Sequence, residues 1–141
     1  HMVDLPKEIV LAWDDYGSPP VKFSFWEAFH NYVVSKKYTS VCFHCEHGHG
    51  RTGTAMCAML ITLLKMDVEA AVTYLREAYC KEVVESETQI LYLINLDMEI
   101  NNGGKVLTDS ETEKIIKKLK PSGNTFDETF DFSNYLKRLE D

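Results

Sequence analysis

The segment that most constrains the fold runs from Thr39 to Met66, TSVCFHCEHGHGRTGTAMCAMLITLLKM. Its opening, TSVCFH, is β-branched and apolar, which favours an extended strand. Its end, Thr54 to Met66, is apolar almost all round and too long for a strand, so it reads as a central buried helix. Between the two lies HCEHGHGRTG, residues 44 to 53. A strand that turns through Gly48 and Gly50 into a helix aims several backbone N–H groups at one spot, and the helix N-terminus adds positive potential. The junction is built as a cradle for an oxyanion.

Two other chemistries share the same residues. Cys42 and Cys45 form a C-x-x-C with His47 and His49 close behind, which suggests zinc. Side chains alternate along a strand, however, and no second distant pair of ligands completes the usual spacing. A reversible Cys42 to Cys45 disulfide is the redox alternative, but Cys42 lies inside the strand rather than at a helix start, and a disulfide leaves the glycines and Arg51 without a role. The anion reading uses every residue type: Arg51 supplies a planar fork for two phosphoryl oxygens, Cys45 sits where the field favours a thiolate, and Thr52 donates a hydroxyl to that sulfur. Taken alone, Thr52 is equally a helix cap.

The rest of the 141-residue chain suits one domain with one site. A formal charge of -7 argues against nucleic acid or an anionic membrane as partner, so attraction for phosphate has to be local. Four cysteines are too few for a secreted disulfide scaffold, and no segment reads as a signal or membrane span, which points to the cytoplasm. KEIVLAW, residues 7 to 13, reads as a strand that ends in the DDYGSPP loop. Ser24 and Glu27, Ser86 and Gln89, and Ser110 and Glu113 stand at capping-box spacing, and Asp67 is a further cap; each predicts a helix start. Lys105 to Leu107 offers a short strand, and Phe132, Tyr135, Leu136 and Leu139 form an apolar stripe in the tail.

HCEHGHGRTG matches H-C-x-x-G-x-x-R-[S/T], the signature of the cysteine-dependent protein tyrosine phosphatases, and its Arg-Thr-Gly resembles the dual-specificity and lipid-directed branches. WDDYGSPP resembles that family's W-P-D-x-G-x-P acid loop, with Asp14 where proline is usual. VESETQ resembles V-Q-T-x-x-Q, with Glu85 in place of the first glutamine and Gln89 matching the second. The resemblance covers about residues 7 to 100. It implies Cys45 as nucleophile, Arg51 as phosphate ligand, Asp15 as general acid, Trp13 as hinge anchor, Thr52 as the donor to the departing thiolate and Gln89 as the residue that positions water. His44 would fix the thiolate, while Glu46, His47, Gly48, His49 and Gly50 would line the substrate in a phosphate loop (P-loop). A histidine ending a strand is otherwise a satisfied core residue, Asp14 is a second candidate carboxylate, and Gln89 already serves a capping box.

These readings combine into an α/β phosphatase-like fold, with a small central, mostly parallel sheet flanked by helices. Residues 3–102 form the minimal core, and 103–141 a helical C-terminal extension packed on it. The expected activity is hydrolysis of phosphate monoesters, foremost phosphotyrosine on protein, through a phosphocysteine intermediate and with no metal or other cofactor. A dual-specificity, lipid or small-molecule phosphatase is the alternative, and a non-catalytic phosphate-binding domain the rival from another class. The clamp loop that sets pocket depth in classical members has no match here, which leaves tyrosine selectivity open, and the oligomeric state is not legible.

Overall fold

Five helices account for all regular structure in a computed structural model that describes residues 8–45, 49–101 and 107–120. They are α1 (Ser24–Ser35), α2 (Gly50–Leu64), α3 (Val68–Ala78), α4 (Glu87–Asn101) and α5 (Asp109–Leu119). The apolar run after the glycine loop is the central helix expected of it: Cys57, Ala58 and Ile61 of α2 are wholly buried. α2 packs against α1, α3 and α4. On α4, Ile90, Leu93, Ile94 and Leu96 close the other side of the same core, where burial of each large aliphatic side chain stabilises by about 1.5–3 kcal/mol.

The expected central parallel sheet is not formed: among the described residues there is no strand. The two segments read as strands, Lys7 to Trp13 and Thr39 to His44, carry the right residues but lie without a ladder wherever described. A strand exists only with a hydrogen-bonded neighbour, and a sheet becomes stable with three or more strands. Here Ile9, Val10 and Val41 stay exposed, with no strand beside them among the described residues. Both segments border one cavity of about 300 Å³, whose wall also includes Phe25, Phe29, Cys45 and Arg51.

Helix starts follow their caps in two cases and depart in two. Asp67 accepts from the Ala70 N–H at 2.7 Å and starts α3. Ser86 and Gln89 form a reciprocal box before α4: the Gln89 N–H donates to Ser86 Oγ at 3.1 Å and the Ser86 N–H to Gln89 Oε1 at 3.3 Å. At α1 the cap position falls on Phe23 and no side chain caps it, because Ser24 is already helical. At α5 the cap is Thr108, which accepts from the Glu111 N–H at 3.2 Å, so the helix starts before the expected Ser110 to Glu113 box. α5 lays Thr112, Ile116 and Leu119 against the body and packs on α4 and α3, which joins the start of the C-terminal extension to the core. Leu107 is in no strand, and the tail stripe from Phe132 to Leu139 lies outside the described residues. No described helix is long and apolar enough to cross a membrane.

One connection bears directly on the site. Between α3 and α4 the chain turns through Val83 and Val84, both wholly buried, with Val84 at φ 61°. A left-handed β-branched residue costs about 1–3 kcal/mol and persists only where its surroundings hold it. Arg76 does so, donating from Nε to the Val83 carbonyl at 3.1 Å and from Nη2 to that of Val84 at 3.2 Å. Gly53 packs directly against this turn, since a Cβ there would lie 2.7 Å from Val83 Cγ1 and 3.0 Å from its Cα.

Candidate active site

Cys45 is half-buried beside the start of α2, and Thr52 Oγ1 donates to its sulfur at 2.9 Å. Thr52 itself is buried, so it is not a solvent-facing cap but a donor fixed on the sulfur. Gly50 starts the helix, where its N–H donates to Glu85 Oε1 at 2.6 Å. A Cβ on residue 50 would lie 2.9 Å from that oxygen, so a larger residue there would displace the Glu85 side chain. Glu85 thus caps α2, and its negative charge suits the positive helix terminus.

Arg51 links the cradle to the acid loop. Its Nη1 donates to the Trp13 carbonyl at 3.3 Å, and its Nε lies 3.8 Å from Asp15 Oδ1. That second distance is an ion pair rather than a hydrogen bond. Arg51 Nε is buried and makes no hydrogen bond, an arrangement costly for a charged donor unless a ligand meets it. Asp15 also accepts from the Tyr16 N–H at 3.1 Å. The Asp14 carbonyl accepts from the Gly17 N–H at 2.9 Å, which closes the turn that aims Asp15.

The acid loop rests on the first turn of α4. Ser86 Oγ donates to the Tyr16 carbonyl at 2.5 Å, and Gln89 Nε2 donates to that of Gly17 at 3.2 Å. Gln89 is wholly buried, and its Oε1 accepts from the Glu85 N–H at 2.7 Å. Its amide is therefore committed to three backbone partners from two loops. Cys45, Arg51, Thr52, Asp15, Trp13, Glu85, Gln89 and Gly50 are brought together by these contacts. His44 borders the cavity beside Cys45 but is exposed and makes no hydrogen bond among the described residues. Glu46, His47 and Gly48 lie outside the described residues.

Three features escaped sequence reasoning. Ser86 was legible as a cap but not as a holder of the acid loop. Cys80 and Glu82 surround His49, with Cys80 Sγ 3.1 Å from Nδ1 and Glu82 Oε2 3.3 Å from Nε2. The only signal for them is a Cys-x-Glu spacing in YCKEVV, which says nothing about a loop more than thirty residues upstream.

Two uncharacterized proteins of Methanocaldococcus jannaschii resemble the chain, at 37% identity over 67% of its length and 39% over 63%. The chain spans about three fifths of each of these relatives, 59% and 60%. No solved structure matches. The family described as protein-tyrosine phosphatase matches residues 8–99, which takes in the acid loop, the cysteine loop and the start of α4 together. With one match running through all three parts of the site, the chain belongs to the protein-tyrosine phosphatase family.

Proposed function

We propose that the chain is a cysteine-dependent phosphate monoester hydrolase acting on phosphotyrosine in proteins. The observation that carries this reading is the placement of Arg51, whose buried Nε lies 3.8 Å from the Asp15 carboxylate and which lines the same cavity as Cys45. Such an arginine brings a phosphoryl group to the sulfur and a carboxyl group to its ester oxygen. Trp13, Phe25, Phe29 and Phe43 on the same cavity favour a phenyl ring over an alkyl chain.

In the first step the Cys45 thiolate attacks phosphorus, an S–P bond forms and the ester P–O bond breaks. The departing oxygen takes the proton of the Asp15 carboxyl group. Arg51 and the loop N–H groups hold the equatorial oxygens as charge shifts onto them. In the second step water attacks phosphorus and gives its proton to the Asp15 carboxylate, while the S–P bond breaks and the thiolate leaves with the Thr52 hydroxyl donating to it. No metal takes part in either step. Gln89 and Ser86 are positioning residues here: they hold Gly17 and Tyr16, and through them Asp15. Glu85 holds Gly50 at the start of α2.

The test is turnover of p-nitrophenyl phosphate in the presence of a chelator. Cys45→Ser is expected to abolish it and Asp15→Ala to lower kcat by about 10²–10⁴-fold, with Asp14→Ala near the parent. Activity that survives in Cys45→Ser, or that chelator removes, overturns the mechanism. Loss in Asp14→Ala with full activity in Asp15→Ala moves the acid by one residue. A phosphotyrosine peptide that binds without release of phosphate makes the domain a phosphate reader instead.

A further inference from the structure

We propose that His49, Cys80 and Glu82 form a binding site for a divalent cation of the zinc class. The site joins the start of α2 to the connection between α3 and α4. His49 is the cap residue of α2, yet its side chain caps nothing; the ring is turned toward Cys80 and Glu82. Nδ1 lies 3.1 Å from Cys80 Sγ and Nε2 lies 3.3 Å from Glu82 Oε2, and one ligand atom from each residue falls within 4.8 Å of the other two. Tetrahedral zinc with bonds of about 2.0–2.3 Å sets its ligand atoms about 3.5 Å apart, a span the three side chains can reach by rearranging on an unchanged backbone. Because the ring now gives one nitrogen to each neighbour, coordination requires it to turn so that a single nitrogen meets the ion. His49 and Glu82 have the freedom for this, with side chains 37% and 65% exposed.

The donor set selects the ion. Thiolate, imidazole and carboxylate together are zinc-class ligands, whereas calcium and magnesium take oxygen donors. Three protein ligands leave a fourth position to water. The Glu82 N–H lies 3.5 Å from Cys80 Sγ and donates to it, a contact of the kind that supports a metal-bound thiolate. Bound metal would cross-link two segments and so stabilise the fold by mass action. The inference shares His49 with the loop of the phosphatase reading but does not rest on that reading, because neither Cys45 nor Arg51 is among its ligands.

Cobalt(II) is the probe, titrated into the whole chain with a phosphine reductant. The expected result is a thiolate-to-cobalt charge-transfer band in the near ultraviolet that saturates at one equivalent and is displaced by zinc. The described free cysteines are Cys42, Cys45, Cys57 and Cys80, so variants assign the band. It should persist in Cys45→Ser and in Cys42→Ser, vanish in Cys80→Ser, and need about tenfold more cobalt in Glu82→Gln. Far-ultraviolet circular dichroism checks that each variant keeps its helices; Glu82→Gln, at an exposed position, carries the test if Cys80→Ser does not fold. A band that survives in Cys80→Ser, follows Cys45 instead, is unmoved by Glu82→Gln or never appears at millimolar cobalt overturns the proposal.

Discussion

The Glu85 carboxylate illustrates how one side chain sets the chemistry of its neighbours. Its oxygen accepts from the Gly50 N–H at 2.6 Å and so spends a donor of the α2 terminus, while its charge opposes any anion that comes to the cradle. Glu85→Gln keeps an oxygen for the Gly50 N–H and removes the charge. Inorganic phosphate is then expected to inhibit p-nitrophenyl phosphate turnover about two- to fivefold more tightly, the effect of about 0.4–1 kcal/mol at a helix terminus. A raised or unchanged inhibition constant would mean that Glu85 acts only as a cap. The family resemblance placed Glu85 where a water-positioning glutamine stands, and sequence had no means of showing that its partner is Gly50, a residue 35 positions upstream. Cys45, Thr52 and Arg51 were legible because their spacing lies within one loop and one helix turn.

Helices were legible where a cap and an apolar stripe agree, as at Asp67 and Ser86. At α1 the helix forms with no side-chain cap at Phe23, and at α5 Thr108 takes the cap ahead of Ser110. The strands were misread for a different reason: composition reports what a residue favours, but a ladder needs partners that are not local. The close approach of α2 to the Val83 turn is likewise non-local, and it sets a prediction. Alanine at residue 53 gains about 1 kcal/mol of helix propensity over glycine. Its methyl would meet Val83, which cannot move aside because Arg76 holds both carbonyls of the turn, and overpacking costs about 1–3 kcal/mol. Gly53→Ala should therefore lower stability, by up to about 2 kcal/mol, in urea unfolding. A stabilised variant would show that the turn is soft.

Over the whole molecule, two buried acids make stability depend on alkaline pH. Burial pushes the Cys57 thiol from 9.0 up to about 12, against a smaller opposing pull from Arg76. Burial likewise pushes the Tyr92 hydroxyl from 10.0 up to about 12, although the Trp26 Nε1–H that donates to it at 2.8 Å acts the other way. Below pH 9 both groups are neutral in folded and unfolded chains alike, and their contribution is fully present. Above it the unfolded chain gives up the Cys57 proton that the folded one keeps, so stability falls by about 1.4 kcal/mol per pH unit until about pH 12, and Tyr92 adds a smaller fall that starts only above pH 10. The melting temperature should fall steeply from pH 9 to pH 11 and less steeply in Cys57→Ala; an equal slope in that variant would remove Cys57 from the account. The first turn of α4 has a consequence for anyone who wants to move this chemistry into another scaffold. Ser86 and Gln89 hold the acid loop while Glu85 holds the start of α2, so a graft of the ten-residue cysteine loop alone would arrive without its foundations. The transplantable unit is three separate pieces of chain, residues 13–17, 45–53 and 83–89, and a host backbone must present all three in register before the borrowed cysteine has work to do.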